Sequence, residues 1–474
     1  MSHRAAFLLF VFGLLAACQP PPDDGLKKAR NVILFVGDGM GVATVTAARI
    51  FDGQSKGLSG EEHVLPFETF PNVALVKTYN TNQQVPDSAG TITAMLTGAK
   101  TRAGLINVGP DSLRRSCKGQ LANPLTPITE TLRDEGKAIG VVTTARITHA
   151  TPAGVFARTA ERDWEDDANI RPGDWELGCR DVAWQLVHAE DGPQVAMGGG
   201  SEHFFGADGL GGRKNAGDDL VRDWLAGGAN RRYVGSTDEL GDLRPGQQVL
   251  GLFAASHMTY MAEKAPDSTE PTLTQMATAA VRLLEENDAG YFLLVEGGRI
   301  DHGHHDSKPG WAMLETQEFA NAVEAVLELI DIDETLVLVT ADHSHVFTMG
   351  GYATRGNPIL GHVVKNNAIG LPRDRPDIAG DGQPYTTLAY ANGPGAVLEM
   401  PRPLPETGID AVAQSLVPVI GSHENGSVEY DETHGGEDVA LYAIGPGSDA
   451  ARGVIEQNRI YDIMMGALGL AAEN

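Results

Sequence analysis

Cysteine is nearly missing from this sequence, with 3 residues in 474, and that excludes a small scaffold stapled by disulfides. Positive charge is scarce as well. Lys and Arg number 36 against 63 Asp and Glu, a net charge of −27, so the clustered cations that displace counterions from a phosphate backbone are lacking and nucleic acid is excluded as a specific partner. No repeat of solenoid period occurs. Ser88, which stands before a helix-like run as a nucleophile would, lacks a G-x-S-x-G elbow, so acyl transfer by a Ser-His-Asp triad is not indicated there. What is present is a 42% apolar composition over a long chain, enough for a large buried core and incompatible with general disorder.

The most apolar stretch, Ala5 to Ala16, follows the single charge Arg4 and precedes Leu15-Ala16-Ala17-Cys18. About a dozen residues cannot span ~30 Å of hydrocarbon as a helix, so residues 1–17 are expected to be a signal peptide and not a permanent anchor. Leu-Ala-Ala-Cys also resembles the bacterial lipoprotein box, which implies lipidation of Cys18, with residues 18–29 as a tether extended by Pro20-Pro21-Pro22. The chain is therefore expected to be exported and anchored by lipid at a bacterial membrane, periplasmic or at the cell surface. Cys117 and Cys179 remain; an oxidising compartment permits a disulfide, and two separately buried thiols are the other reading.

Short apolar runs alternate with amphipathic stretches, the pattern of βα units on a mostly parallel sheet. Asn31–Gly37, Ile139–Thr143, Tyr291–Val295 and Thr335–Thr340 read as buried strands, and Thr272–Glu286 and Trp311–Leu329 as covering helices. The expected fold is an α/β three-layer sandwich with a large mostly parallel central sheet. Residues 30–474 form one domain in this reading, with a Gly- and Pro-rich, loop-dominated insertion at about 353–432.

Polar groups cluster where the strands end. Asp38 sits in Gly37-Asp38-Gly39-Met40-Gly41, a G-x-G-x-G spacing that differs from the dinucleotide G-x-G-x-x-G, and an Asp there would repel a pyrophosphate. It is either a metal ligand or a turn residue. Glu296 through His305 holds two carboxylates and three histidines; Asp301 and His305, four apart, can face one ion from one helical turn, with His304 a solvated or outer neighbour. Asp342 and His343 close another strand, as ligands or as satisfied surface groups, and His434 lies in a loop before Val439–Ile444. Mixed Asp and His donors suit zinc; Glu, Asp and hydroxyl oxygens suit magnesium. Ser88, before the helix-like Thr91–Leu96, is either a helix cap or a nucleophile at a helix N-terminus.

In order along the chain, Phe35–Val42, Val85–Ser88, Val142–Arg146 with His149–Ala153, Val295–His305, Thr340–Phe347 and Thr433–Val439 resemble the alkaline phosphatases, in the branch that includes the animal enzymes. The resemblance implies that Asp301, His305 and His434 bind one zinc, that Asp38, Asp342 and His343 bind a second, and that Asp38, Thr151 and Glu296 bind magnesium. His149, His302 and Asp87 are then outer neighbours. Ser88 is implied as the nucleophile and Arg162 as the grip on phosphoryl oxygens, so the substrates would be small phosphate monoesters. A Cys117–Cys179 disulfide and a homodimer reached through Tyr352 are implied too. Ala254 stands where a fourth, calcium-like site would need a glutamate, although Phe253 and Glu270 fit it. A phosphodiesterase of the same superfamily and an inactive phosphate-binding lipoprotein are the alternatives.

Overall fold

The computed structural model describes residues 27–189, 192–398, 402–422 and 428–470. The signal peptide, Cys18 and most of the tether lie outside the described residues. Ten strands form the central sheet: β1 (Asn31–Gly37), β2 (Asn72–Lys77), β3 (Ala138–Arg146), β4 (Val195–Gly199), β5 (Arg231–Val234), β6 (Gln248–Leu252), β7 (Tyr291–Gly297), β8 (Thr335–Ala341), β9 (Val439–Ile444) and β10 (Gly453–Glu456). Their spatial order is β10-β2-β9-β8-β1-β7-β3-β4-β6-β5. Every pairing is parallel except those of β9, which runs against both β8 and β2.

The four central strands show why their sequences are apolar throughout. Residues Val32–Val36, Ala138–Arg146, Tyr291–Val295 and Leu336–Val339 are buried, as expected of parallel strands covered on both faces by helices. The principal helices are α1 (Val42–Ser55), α2 (Ser88–Thr97), the single turn α3 (Ala150–Ala153), α4 (Leu273–Leu284), α5 (Arg299–His305) and α6 (Pro309–Leu327). A capping box of Thr272 and Gln275 starts α4, and Ala277, Ala280, Val281 and Leu284 form the stripe it buries. Phe35 meets Phe319 of α6 edge-on at 5.9 Å between ring centres.

Register then aligns the strand ends. Gly37 stands beside Gly297 on one side and Ala341 on the other, so Asp38, Glu296 and Asp342 come together at one edge of the sheet, where open α/β sheets place their sites. Because β9 is antiparallel, its beginning lies at that same edge and delivers His434. A two-residue antiparallel bridge, His434 to His345 and Gly435 to Ser344, fixes it there. Outside the central sheet, Phe347–Met349, Leu388–Asn392 and Ser415–Val417 form a small three-stranded sheet. Cys117 and Cys179 are joined as a disulfide, with Cα atoms 5.9 Å apart.

Candidate metal centre and active site

Asp301 and His305 face the same side of α5, and Asp301 Oδ1 lies 3.4 Å from His305 Nε2 and 3.4 Å from His434 Nε2. The two imidazole nitrogens are 3.1 Å apart. Their other ring nitrogens are fixed by carbonyls: His305 Nδ1 donates to Glu432 O at 2.6 Å and His434 Nδ1 to Pro86 O at 2.8 Å. This is how ligating histidines are oriented, with one nitrogen tied back and the other left for an ion.

Beside this group, His343 Nε2 lies 3.3 Å from Asp38 Oδ1 and 3.3 Å from Asp342 Oδ2, and the His343 and His434 rings stack at 3.6 Å. Asp342 Oδ1 accepts from the backbone N–H groups of Gly39 and His343, which holds the sharp turn at the end of β8. A third group joins Asp38, Glu296 and His149, the donor atoms within 4.8 Å of one another, with Thr151 beside Glu296 at the start of the region's single helical turn. His149, expected only as an outer neighbour, thus lies within this donor group.

The electrostatics suit bound cations. Both Asp38 oxygens and Glu296 Oε1 are buried without a hydrogen-bond donor. Burial, followed by the carboxylates of Asp342, Asp301 and Glu296, drives the Asp38 carboxyl well above its usual range, and burial pushes Glu296 up to about 7. Burial also acts to raise Asp301, but the imidazoles of His305, His345 and His434 outweigh it and hold that carboxyl well below its usual range. Carboxylates crowded in a dry site without donors require positive charge. The Asp and His donors fit zinc, and the all-oxygen set of Asp38, Glu296 and Thr151 fits magnesium.

Ser88 is not the cap of α2 but its first residue. Asp87 is the cap: its Oδ1 accepts from Gly90 N at 3.1 Å and from Asn80 Nδ2 at 2.9 Å, and its Oδ2 accepts from Gly104 N at 2.8 Å. Ser88 is left free of capping duty, buried, with Oγ 3.3 Å from His343 Nε2. Arg162 reaches the same place, donating through Nη1 to Asp87 Oδ2 at 3.3 Å and through Nη2 to His149 Nε2 at 2.8 Å. Burial and then the Arg162 charge lower His149 to about 3, so it is a neutral acceptor.

Other residues were not foreseen in their roles. His345 is fully buried between Glu432 and Asp301, 2.5 Å from Glu432 Oε2 and 2.8 Å from Asp301 Oδ1; its position two residues after His343 was the available signal. Glu432 carries no local signal, and His257 packs at 4.1 Å against the His302 ring. Of the two readings of His304, the solvated one fails: it is wholly buried between the hydroxyls of Thr44 and Tyr390, with its ring 4.8 Å from that of His345. Glu270 spends its oxygens on Thr259 N and Oγ1. Tyr352 stands exposed on a left-handed residue.

Residues 29–470 match the family model described as alkaline phosphatase. The tissue-nonspecific alkaline phosphatase of Gallus gallus is 42% identical over 452 residues, covering 91% of this chain and 83% of the relative. That of Homo sapiens is 40% identical over 464 residues, covering 94% and 84%. The alkaline phosphatase of Thermus thermophilus superposes with a TM-score of 0.66 at 22% identity, over 94% of this chain and 93% of that one. That of the Antarctic bacterium TAB5 gives 0.62 at 20%, over 94% and 100%. At those identities the two structures speak for the fold.

Proposed function

The chain belongs to the alkaline phosphatase family and is an enzyme of that kind, and from this premise we propose that it hydrolyses phosphate monoesters through a phosphoserine on Ser88, with two zinc ions and one magnesium ion. The observation that carries the reading is the placement of Ser88 Oγ, 3.3 Å from His343 Nε2 at the first residue of α2, with the Arg162 fork tied to Asp87 and His149 beside it.

Bound zinc at Asp301, His305 and His434 and at Asp38, Asp342 and His343, and magnesium at Asp38, Thr151 and Glu296, would supply Lewis acidity that acidifies a hydroxyl or water and neutralises developing negative charge. Ser88, its proton given up to solvent, attacks phosphorus in line as the alkoxide; the ester P–O bond breaks, and the leaving oxygen departs as an alkoxide on the side of Asp301, His305 and His434 and takes a proton from water. Arg162 holds two non-bridging oxygens with its planar fork, and the first free N–H groups of α2 face the phosphoryl group. Water then attacks the phosphoserine, releasing inorganic phosphate and restoring Ser88; two inversions give retention at phosphorus. Positioning and charge stabilisation are most of the protein's share, because the transition state is loose.

Arg162 also argues against a diester preference, since it claims an oxygen that a second ester group would need. Export by residues 1–17, anchoring through lipidated Cys18, action of residues 30–474 as one catalytic unit and dimerisation through Tyr352 belong to the same proposal; an unmodified Cys18 by mass spectrometry or a fully active monomer by sedimentation would remove the corresponding part. The deciding experiment compares 4-nitrophenyl phosphate with its diester on the metal-stripped protein after zinc and magnesium are restored. Metal-dependent monoester turnover exceeding the diester by orders of magnitude is expected. Ser88→Ala should abolish phosphoserine formation and Arg162→Ala should raise KM more than it lowers kcat. Diester preference, or phosphate binding without turnover, would overturn the reading.

A further inference from the structure

A groove of about 510 Å3 opens beside this site, lined by residues 77–84 on one wall and by Gly436 and Asp438 on the other. Its position follows from topology. β2 is parallel to β8 and β1 through β9, so the residues after Lys77 emerge at the same sheet edge as Asp38 and Asp342. The first wall runs on into Val85-Pro86-Asp87-Ser88, and the second begins two residues after His434. The walls are pinned together: His434 Nδ1 donates to Pro86 O, and Gly436 packs against Val85. The groove's walls thus adjoin in the chain the segments that carry Ser88 and His434, and His434 stands on the side where the alcohol departs in the reading above.

Its chemistry is polar, with one carboxylate, Asp438, on the second wall. Thr78 lines it with a buried hydroxyl that has no hydrogen-bond partner. Asn82, Gln83 and Gln84 present exposed amides. Lys77 Nζ is taken up by Glu456 at 2.8 Å, so the groove offers no free cation to a second phosphate. Lys100 covers one face of the Tyr79 ring, 3.3 Å from its centre, and the tyrosine is still 44% exposed, leaving an apolar platform among the amides. Amides and a hydroxyl around an aromatic plate match an alcohol with several hydroxyls and an apolar C–H face. The volume suits one small ligand.

We propose that this groove binds the alcohol half of the substrate, and that the preferred monoesters are phosphorylated sugars or polyols. The proposal rests on the phosphomonoesterase reading and deepens it. The test measures kcat/KM for glucose 6-phosphate and for hexyl phosphate, both primary alkyl esters, with 4-nitrophenyl phosphate as reference, in the metal-loaded full chain. The wild type should favour glucose 6-phosphate by about tenfold or more, and Thr78→Val and Gln84→Ala should each reduce that ratio by about three- to tenfold, the worth of one hydrogen bond. Thermal unfolding and zinc content of each variant check that it is folded. A ratio near one in the wild type, or a ratio unmoved in both folded variants, overturns the groove assignment while leaving the enzyme reading intact. Absence of wild-type turnover on 4-nitrophenyl phosphate overturns the enzyme reading and this one with it.

Discussion

His304 makes a quantitative test of how dry the centre of this fold is. Its imidazole is fully buried, 3.0 Å from Thr44 Oγ1 and 2.8 Å from Tyr390 Oη, and burial lowers it to about 3. The unfolded chain protonates the same residue near its ordinary value of 6.5. Below that value the unfolded state takes up a proton that the native state refuses, so stability is fully present above pH 6.5 and is lost as pH falls towards 3. Between about pH 7 and about pH 5 the loss from this one group is about 2 kcal/mol. For a chain of this length that is roughly 2 °C in Tm. The assay is thermal unfolding of the metal-stripped protein at the two pH values, wild type beside His304→Gln, which cannot titrate. The comparison with the variant removes the contribution of titrating groups that do not act on His304, His305 and His343 being its charged neighbours. The wild type should fall by about 2 °C more than the variant; equal falls would show that His304 takes up a proton in the folded state, and the burial account would be wrong.

Two other consequences follow from particular contacts. Gly39 has φ +67°, and a Cβ there would lie 2.3 Å from His345 Nε2; since His345 is clamped between Glu432 and Asp301, Gly39→Ala should displace Asp301 and lower metal affinity by about tenfold or more, and an unchanged zinc affinity by competition with a chelator would refute this. The Cys117–Cys179 disulfide closes a 62-residue separation, worth about 4 kcal/mol on the chain-entropy model, so replacing both with Ser should lower Tm by about 4 °C; no change in calorimetry would mean the crosslink constrains nothing in the unfolded chain.

Much of the sheet was legible because buried parallel strands leave uninterrupted apolar runs. Asn31–Gly37 and Val439–Ile444 are strands as read, and the read segment Ile139–Thr143 grows to Ala138–Arg146, its far end running on through Thr144 and Arg146, which are polar but buried. The helices Thr272–Glu286 and Trp311–Leu329 shift by up to two residues at each end, to Leu273–Leu284 and Pro309–Leu327, where capping decides the boundary. Ser88 was ambiguous because a cap and a first-turn residue share the same neighbourhood; Asp87 resolved it by accepting from Gly90.

The sequence alone determined the elements and the polar clusters at their ends, since periodicity and strand-end motifs are local properties that each segment carries with it. Which clusters meet is not local. Asp38, Glu296, Asp342 and His434 are brought together by register between strands hundreds of residues apart and by the antiparallel course of β9, and His345 became part of the centre by contact with Asp301 and with Glu432, 87 residues away. Burial also decides the charge of His304, because the free energy of an ionised group depends on what packs around it, and only the folded chain supplies that surrounding.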